Sequence, residues 1–213
     1  MNNKLLILNL GVDSENTSLA FTQKWINEIS LYFATVDVLT MKVGSNYQLN
    51  KNVNLHYIND LNTNYTKIYQ FKKLIKLTKK LIKNNNYSHC FAHMAPMQHL
   101  IAKFYLLRKN IKTTLWFTHS GPRFGTKWLI LWFSSLLANN VVTASKHSFP
   151  FRFKKVKSIG HGINYDIFFE ERTTFQLKNI SILSRVSKSK NIENSLDNII
   201  KCKNFENMNI DVI

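Results

Sequence analysis

Short apolar runs alternate along this chain with longer segments in which apolar residues recur at helical spacing. The runs predicted as strands are Lys4–Leu10, Val36–Thr40, Val53–Ile58, Ser88–His93, Thr113–Thr118, Asn140–Thr143, Val156–Ile159, Asn179–Leu183 and the last apolar stub, Ile210–Ile213. The segments predicted as helices are Ser18–Tyr32, Tyr65–Lys83, Met97–Arg108, Lys127–Ala138 and Ile192–Cys202. This alternation predicts βαβ units, and therefore an α/β fold with a mainly parallel sheet and helices on both of its faces.

The alternation of strand and helix patterns is interrupted at Phe168–Leu177, which predicts a boundary between two units. We expect a first Rossmann-like domain over residues 1–167, a linker over 168–178 and the beginning of a second domain over 179–213. The last segment holds one strand, one helix and the start of another strand, too little to bury a core of its own. We therefore expect the chain to be cut within a second βαβ domain.

Residues that follow the strands deserve most weight, because ligands of open parallel sheets bind outside the carboxyl ends of the strands. Three histidines, His93, His119 and His161, follow predicted strand ends. They allow three interpretations: a zinc site, a polar cleft for a sugar or phosphate, or unrelated surface histidines. Their spacing matches no standard zinc pattern, which favours the polar cleft. Ser120 and Arg123 follow His119 in a Gly-Pro turn, where an arginine fork can bind an anion or simply face solvent.

The first strand leads into Gly11-Val12-Asp13-Ser14, which is either a loop that lines a ligand cleft or an ordinary surface loop. It lacks the Gly-x-Gly-x-x-Gly fingerprint, so a dinucleotide site is not indicated. The chain also has no Walker loop, no Gly-x-Ser-x-Gly elbow and no His-Glu-x-x-His helix. P-loop ATPase, α/β-hydrolase and zincin functions therefore lose support.

Charge adds an expectation about partners. Lys and Arg number 29 against 12 Asp and Glu, a net charge of +17, while the 45% hydrophobic content excludes a mostly disordered chain. Tyr65–Lys83 has an apolar face beside a lysine face, which fits a core-packed helix and also attraction to an anionic membrane.

No apolar stretch is long enough to span a bilayer, and no signal peptide is recognisable. Cys90 and Cys202 form no disulfide framework, so we expect a cytoplasmic protein, peripheral on the inner face of the membrane at most.

Two motifs together make this chain resemble a known protein family. Gly160-His161-Gly162-Ile163-Asn164 follows one strand, and Ser184-Arg185-Val186-Ser187-Lys188-Ser189-Lys190-Asn191 lies between a later strand and a helix. The chain resembles family-4-like glycosyltransferases of the GT-B fold, whose corresponding motifs read Gly-x-Gly-Ile/Val-Asp and Gly-Arg-Leu-x-x-x-Lys-Asn/Gly. It departs from them at Ser184 and Asn164, and neither departure removes the cationic pair.

The resemblance implies a retaining transfer of a sugar from a nucleotide-diphosphate donor to a glycan or lipid-linked acceptor, as in bacterial surface polysaccharide or glycoconjugate synthesis. Arg185 and Lys190 match the pair that binds the leaving diphosphate, so no metal or other cofactor is expected, and His119 matches a cleft histidine near the transferred sugar. The donor-binding positions it implies are Gly11, Gly160, Gly162, Ser184, Arg185 and Lys190. The cleft positions on the acceptor side are His93, Ser120, Arg123 and His161.

Two other function classes stay open. One is a non-catalytic binding or scaffold domain of the same fold. The other is a basic nucleic-acid-binding protein, which is disfavoured because the chain has no RRM, KH or helix-turn-helix signature. Because most of a donor domain is missing before Ile213, we expect the 213-residue chain alone to transfer essentially no sugar.

Overall fold

A computed structural model of the chain describes residues 3–16, 19–63, 65–119, 124–162, 179–182, 191–201 and 209–212. These residues belong to two compact units, Met1–Gly162 and Ile163–Ile213. The linker predicted at 168–178 lies outside the described residues, so its bounds stay a prediction.

The described residues of the first unit form seven strands and four helices. The strands are β1 (Lys4–Val12), β2 (Thr35–Val43), β3 (Val53–Asn59), β4 (His89–His93), β5 (Lys112–Trp116), β6 (Asn140–Thr143) and β7 (Val156–Ser158). The helices are α1 (Thr22–Ser30), α2 (Lys67–Asn84), α3 (Pro96–Leu106, continued by a 3₁₀ turn over Leu107–Lys109) and α4 (Thr126–Leu137). Every strand and helix predicted for this part of the chain is present, with shifts of a few residues at the ends.

All seven strands run parallel, in the order β3-β2-β1-β4-β5-β6-β7. The chain builds the sheet outward in one direction from β1 to β3, then returns and builds in the other direction from β4 to β7. The order therefore reverses between β1 and β4, and this point is where doubly wound sheets open their ligand crevice. The predicted α/β class with a parallel sheet is confirmed.

The two faces of the sheet are covered by different helices. On β1, Leu5 and Ile7 pack in a cluster with Ile26 of α1. Leu6 and Leu8 point the other way, into a larger cluster with residues of α2, α3 and α4. Because both faces are buried, the strand reads as one continuous apolar run without alternation. The prediction of helices on both faces is confirmed.

Helix α2 turns its apolar stripe into this larger core. Thr66 caps its first turn by accepting a hydrogen bond from the Tyr69 amide, and Leu74, Thr78, Leu81 and Ile82 are buried. Of its two predicted roles, core packing is therefore confirmed. Its lysines lie on the exposed side, except the half-buried Lys73, which donates to the Ile58 carbonyl at 2.6 Å. Among the described helices, none is both long and apolar enough to cross a membrane.

The described residues of the second unit include a two-stranded parallel sheet. Its described elements are β8 (Asn179–Ile182), α5 (Ile192–Ile200) and β9 (Asn209–Val212), and β8 pairs with β9 in parallel. This is the strand, helix and strand that the sequence predicts there.

Candidate functional site

Side chains at the carboxyl edge of the sheet surround the point where the strand order reverses. His93 ends β4 and pairs in register with Trp116, which ends β5. The His93 ring lies between two tryptophans, with centroid distances of 4.9 Å to Trp25 of α1 and 6.4 Å to Trp116. Phe21 approaches His93 from the start of α1 at 5.9 Å, and His161 approaches Trp116 at 6.3 Å. We call these five side chains the aromatic ledge.

An aromatic ledge of this kind suits a sugar or a base. Aromatic rings combine a large apolar surface with a defined orientation, and Trp and His add a polar atom at the ring edge. Flat rings also stack on nucleobases with little dependence on sequence. The ledge could therefore hold either half of a nucleotide sugar, or a sugar acceptor.

Burial decides the charge of His93. It lowers the pKa of His93 to about 4, because the charged imidazolium loses its hydration between the two tryptophan rings. At neutral pH the ring is therefore uncharged, with one nitrogen donating and the other accepting. His93 can orient a hydroxyl group by hydrogen bonding, but it does not supply a positive charge to a phosphate.

Two buried donors near this histidine lack hydrogen-bond acceptors among the described residues: the Trp25 indole nitrogen, Nε1, and the Asn9 amide nitrogen, Nδ2. Asn9 lies on β1 beside the last register pair between β1 and β4, Leu8 with Ala92. Its oxygen Oδ1 already accepts from the Gly11 amide at 2.6 Å. Buried donors nearly always find an acceptor, and because both atoms are closed to solvent, an ordered water is the acceptor that fits here.

The backbone at the same edge is in an uncommon conformation. Met94, directly after β4, has φ of 55°, which is rare for a residue with a side chain. It is held there by its amide, which donates to the Trp116 carbonyl at 2.9 Å, and by its sulfur, which accepts from the Thr118 amide at 3.4 Å. Such positions concentrate at functional sites, so this observation agrees with the ledge.

The three candidate histidines do not form one group. His93 and His161 both contact Trp116, whereas the exposed His119 lies 6.2 Å from Phe117, whose side chain belongs to the core on the opposite face of the sheet. Within the described ranges, no three His, Cys, Asp or Glu side chains are grouped so that they could hold a metal ion. The structure gives the zinc interpretation no support there.

The candidate glycines have different surroundings. Gly11 is buried inside β1, which continues to Val12 because Gly11 and Val12 pair with Lys42 and Val43 of β2. The connection to α1 therefore begins at Asp13, later than the sequence indicates. Gly160 has φ of +79°, which favours glycine, and Gly162 is exposed with open space around its Cα.

The remaining candidate residues, Ser120, Arg123, Ser184, Arg185 and Lys190, lie outside the described residues. Their predicted roles stay predictions.

Sequence reasoning missed Asn9, Phe21, Trp25 and Trp116 as site residues. The signal for Trp25 is its spacing of four residues from Phe21, which places both rings on one side of α1. Trp116 could have been found as the last residue of a strand at the ligand edge. Asn9 is a polar residue inside an apolar strand, where an unexplained polar side chain merits attention.

No family model and no curated protein sequence matches this chain significantly. Several solved structures do match in fold. The lipopolysaccharide outer core galactosyltransferase WaaB superposes with a TM-score of 0.62 at 8% identity, over 98% of this chain and 60% of that one. Anabaena HepE, solved in complex with UDP, gives 0.61 at 11% identity, over 99% of this chain and 61% of that one.

A UDP-GlcNAc 2-epimerase from Methanocaldococcus jannaschii also matches, with a TM-score of 0.54 at 11% identity, over 98% of this chain and 65% of that one. The chain thus spans less than two thirds of the length of these three proteins. Identities this low show the fold alone. Together with the parallel sheet and its reversal between β1 and β4, they show that this chain has the Rossmann-like architecture of GT-B proteins.

Proposed function

We propose that the protein transfers a sugar, with retention, from a nucleotide-diphosphate donor to a glycan or lipid-linked acceptor. The observation that carries the proposal is the aromatic ledge at the carboxyl edge of the reversing sheet. Proteins with the same fold include a galactosyltransferase and a protein solved with UDP, which supports a nucleotide-sugar substrate. We place the reaction in the cytoplasm, in agreement with the lack of a disulfide framework.

On the acceptor side, the ledge stacks on a sugar ring, and the buried donors of Trp25 and Asn9 reach its oxygen atoms through ordered water. Neutral His93 orients a hydroxyl group through a hydrogen bond. His119 is proposed to position the transferred sugar, and His161, Ser120 and Arg123 are proposed to line the acceptor cleft. Each contribution fixes orientation, which lowers the entropic part of the activation barrier.

On the donor side, Arg185 and Lys190 bind the diphosphate, and Ser184, Gly160 and Gly162 allow its close approach. Negative charge builds on the diphosphate oxygens as the sugar leaves, so fixed cations stabilise the transition state more than the ground state. Helix α5 begins at Ile192, directly after this segment, and a helix N-terminus adds partial positive charge. With these groups in place, the proposed mechanism needs no metal ion.

The donor assignment is tested by substituting each cation in the protein that carries this chain. Arg185→Ala and Lys190→Ala should each lower turnover roughly 10²–10³-fold, the usual cost of losing one preorganised transition-state contact. Lys188→Ala, in the same basic segment, is the matched control and should keep most of the activity. Turnover is measured as nucleoside diphosphate release and product formation with a panel of activated sugars.

Equal and small effects of all three substitutions would contradict the diphosphate assignment. Nucleotide-sugar binding without any transfer or release would favour the alternative, a non-catalytic binding domain of the same fold.

A further inference from the structure

Helix α4 carries apolar side chains on the side that faces away from the core. Its inner side is buried through Leu131, Ser134 and Ser135. The outer side presents Leu129, Phe133, Leu136 and Leu137, which are 48%, 47%, 45% and 41% exposed. A helix that is apolar all round is expected to be covered on all sides. The outer side of α4 has no such cover among the described residues.

The apolar surface continues onto neighbouring elements. Helix α3 packs between α2 and α4 on the same face of the sheet. It exposes Phe104, and the guanidinium of Arg108 lies 5.7 Å from that ring. Phe124, just before α4, is 89% exposed. We call the exposed sides of α2, α3 and α4, with Phe124, the outer helix surface.

The charge of this half of the molecule has one sign. Residues 61–165, which contain all three helices, hold 18 of the 29 Lys and Arg residues and none of the 12 Asp and Glu residues. The exposed lysines of α2 include Lys72, Lys76, Lys79 and Lys83. The outer helix surface therefore joins an apolar strip to a field of positive charge that no acidic side chain in the segment offsets.

We propose that the outer helix surface binds an anionic lipid bilayer. The apolar side of α4 inserts at the boundary between headgroups and acyl chains, and the lysines of α2 contact the anionic headgroups. This assigns the inserting role to α4, because the apolar stripe of α2 is already buried in the core. The proposal does not depend on catalytic activity.

Two other occupants fit the surface less well. A nucleic acid would satisfy the lysines, but its phosphates would gain nothing from the leucine and phenylalanine side chains of α4. A second copy of the chain would cover α4, but it would bring a second positively charged surface against the first. A bilayer of anionic lipids satisfies both parts of the surface.

The test is sedimentation with vesicles of phosphatidylcholine alone or mixed with phosphatidylglycerol. The wild-type chain should bind the anionic vesicles more tightly, and added salt should weaken this binding. Leu129→Ser with Phe133→Ser should lower partitioning roughly tenfold or more, because each side chain loses apolar burial. Lys76→Gln with Lys83→Gln should weaken binding at low salt by roughly tenfold or more.

Matched controls lie outside the outer helix surface, on or just after α1 and in the turn before β3. Leu31→Ser with Tyr32→Ser removes two side chains that are 70% and 81% exposed after α1, and Lys24→Gln with Lys51→Gln removes two exposed cations. Both controls should bind vesicles as the wild type does. Circular dichroism confirms that each variant is folded.

Three results would overturn the proposal. One is unchanged vesicle binding by the folded Leu129→Ser, Phe133→Ser variant. Another is binding to a single-stranded oligonucleotide without binding to anionic vesicles. The third is a concentration-dependent dimer that this variant abolishes while vesicle binding is absent, which would assign the surface to a second copy.

Discussion

His93 lies between the rings of Trp25 and Trp116, and this position fixes both its charge and its orientation. A pKa of about 4 keeps the ring neutral at any pH near 7. The indole nitrogen of Trp25, a buried donor without an acceptor among the described residues, lies on one of the same two rings. An unpaired buried donor costs free energy, and this cost is removed when an oxygen atom of a water or a ligand binds it.

Substituting Trp25 tests this link. Trp25→Phe keeps an aromatic ring against Phe91 and His93 but removes the indole N–H. The KM for the acceptor should rise roughly tenfold, the equivalent of one lost hydrogen bond. Trp128→Phe, the same chemical change on α4, is the control and should leave KM unchanged. Steady-state kinetics with acceptor as the varied substrate make the comparison, and equal KM values for both variants would contradict the donor's role.

At the scale of elements, helices and strands follow from local patterns and were predicted from the sequence. The strand order and the aromatic ledge were not, because His93 and Trp116 meet through a strand pairing that links distant parts of the chain. The end of β1 was placed too early because Gly11 resembles a turn residue. Pairing with β2 keeps it in the strand, which is tertiary context overriding local preference.

Helix α4 also depends on a contact that its own sequence does not contain. The ammonium group of Lys155 donates to the carbonyl oxygens of Leu136 at 2.5 Å and Ala138 at 2.6 Å. These carbonyls belong to the last turn and the C-cap of α4, where the helix dipole favours a cation. Lys155, in the connection before β7, thus caps the carboxyl end of a helix that ends nearly twenty residues earlier in the chain.

Removing this ammonium group should destabilise the first unit. Lys155→Met keeps most of the side-chain length without the charge and should lower the free energy of unfolding by ~1 kcal/mol. Lys154→Met, at the exposed neighbouring position, should change it little. Urea unfolding followed by circular dichroism measures both variants. A loss for Lys154→Met as large as that for Lys155→Met would show that charge alone, without the carbonyl contacts, explains the effect.

At the scale of the whole molecule, buried ionisable groups make the fold sensitive to acid. The His99 side chain is buried between Ser134 and Thr113, at 2.9 Å from each hydroxyl oxygen. Burial, followed by the nearby charges of Lys103 and Lys155, lowers the pKa of His99 to about 3. In the unfolded chain its pKa is about 6.5, so between these values only the unfolded state is protonated.

The stabilising effect of neutral His99 is therefore complete above about pH 6.5 and is lost as the pH falls toward 3. His99→Gln retains polar atoms for both hydroxyl partners but cannot titrate. It should reduce the slope of unfolding free energy against pH by ~1.4 kcal/mol per pH unit between about pH 4 and 6. Urea unfolding across this range measures the slope. His147→Gln, at an exposed position, is the control, and identical slopes for both variants would refute the assignment.

Asp37 adds to acid sensitivity at a lower pH. Burial raises its pKa, but hydrogen bonds from His56, Tyr87 and Asn54 outweigh burial and leave the pKa below its usual value. The carboxylate therefore stabilises the fold above the unfolded pKa of about 4, and this contribution is lost as the pH falls through the lowered folded value.

The layer formed by α2, α3 and α4 lies against one face of the sheet, while the ledge lies along the carboxyl edge of the same sheet. A bilayer bound to that layer would run parallel to the sheet, and the crevice would open along the bilayer surface. An acceptor anchored in such a bilayer would reach the crevice by lateral diffusion in two dimensions, and a dissolved donor would approach from the other side. If the proposed transfer and the proposed bilayer contact both hold, the helix layer would separate the routes of the two substrates, and their encounters with the site would respond differently to viscosity in the bulk and in the bilayer.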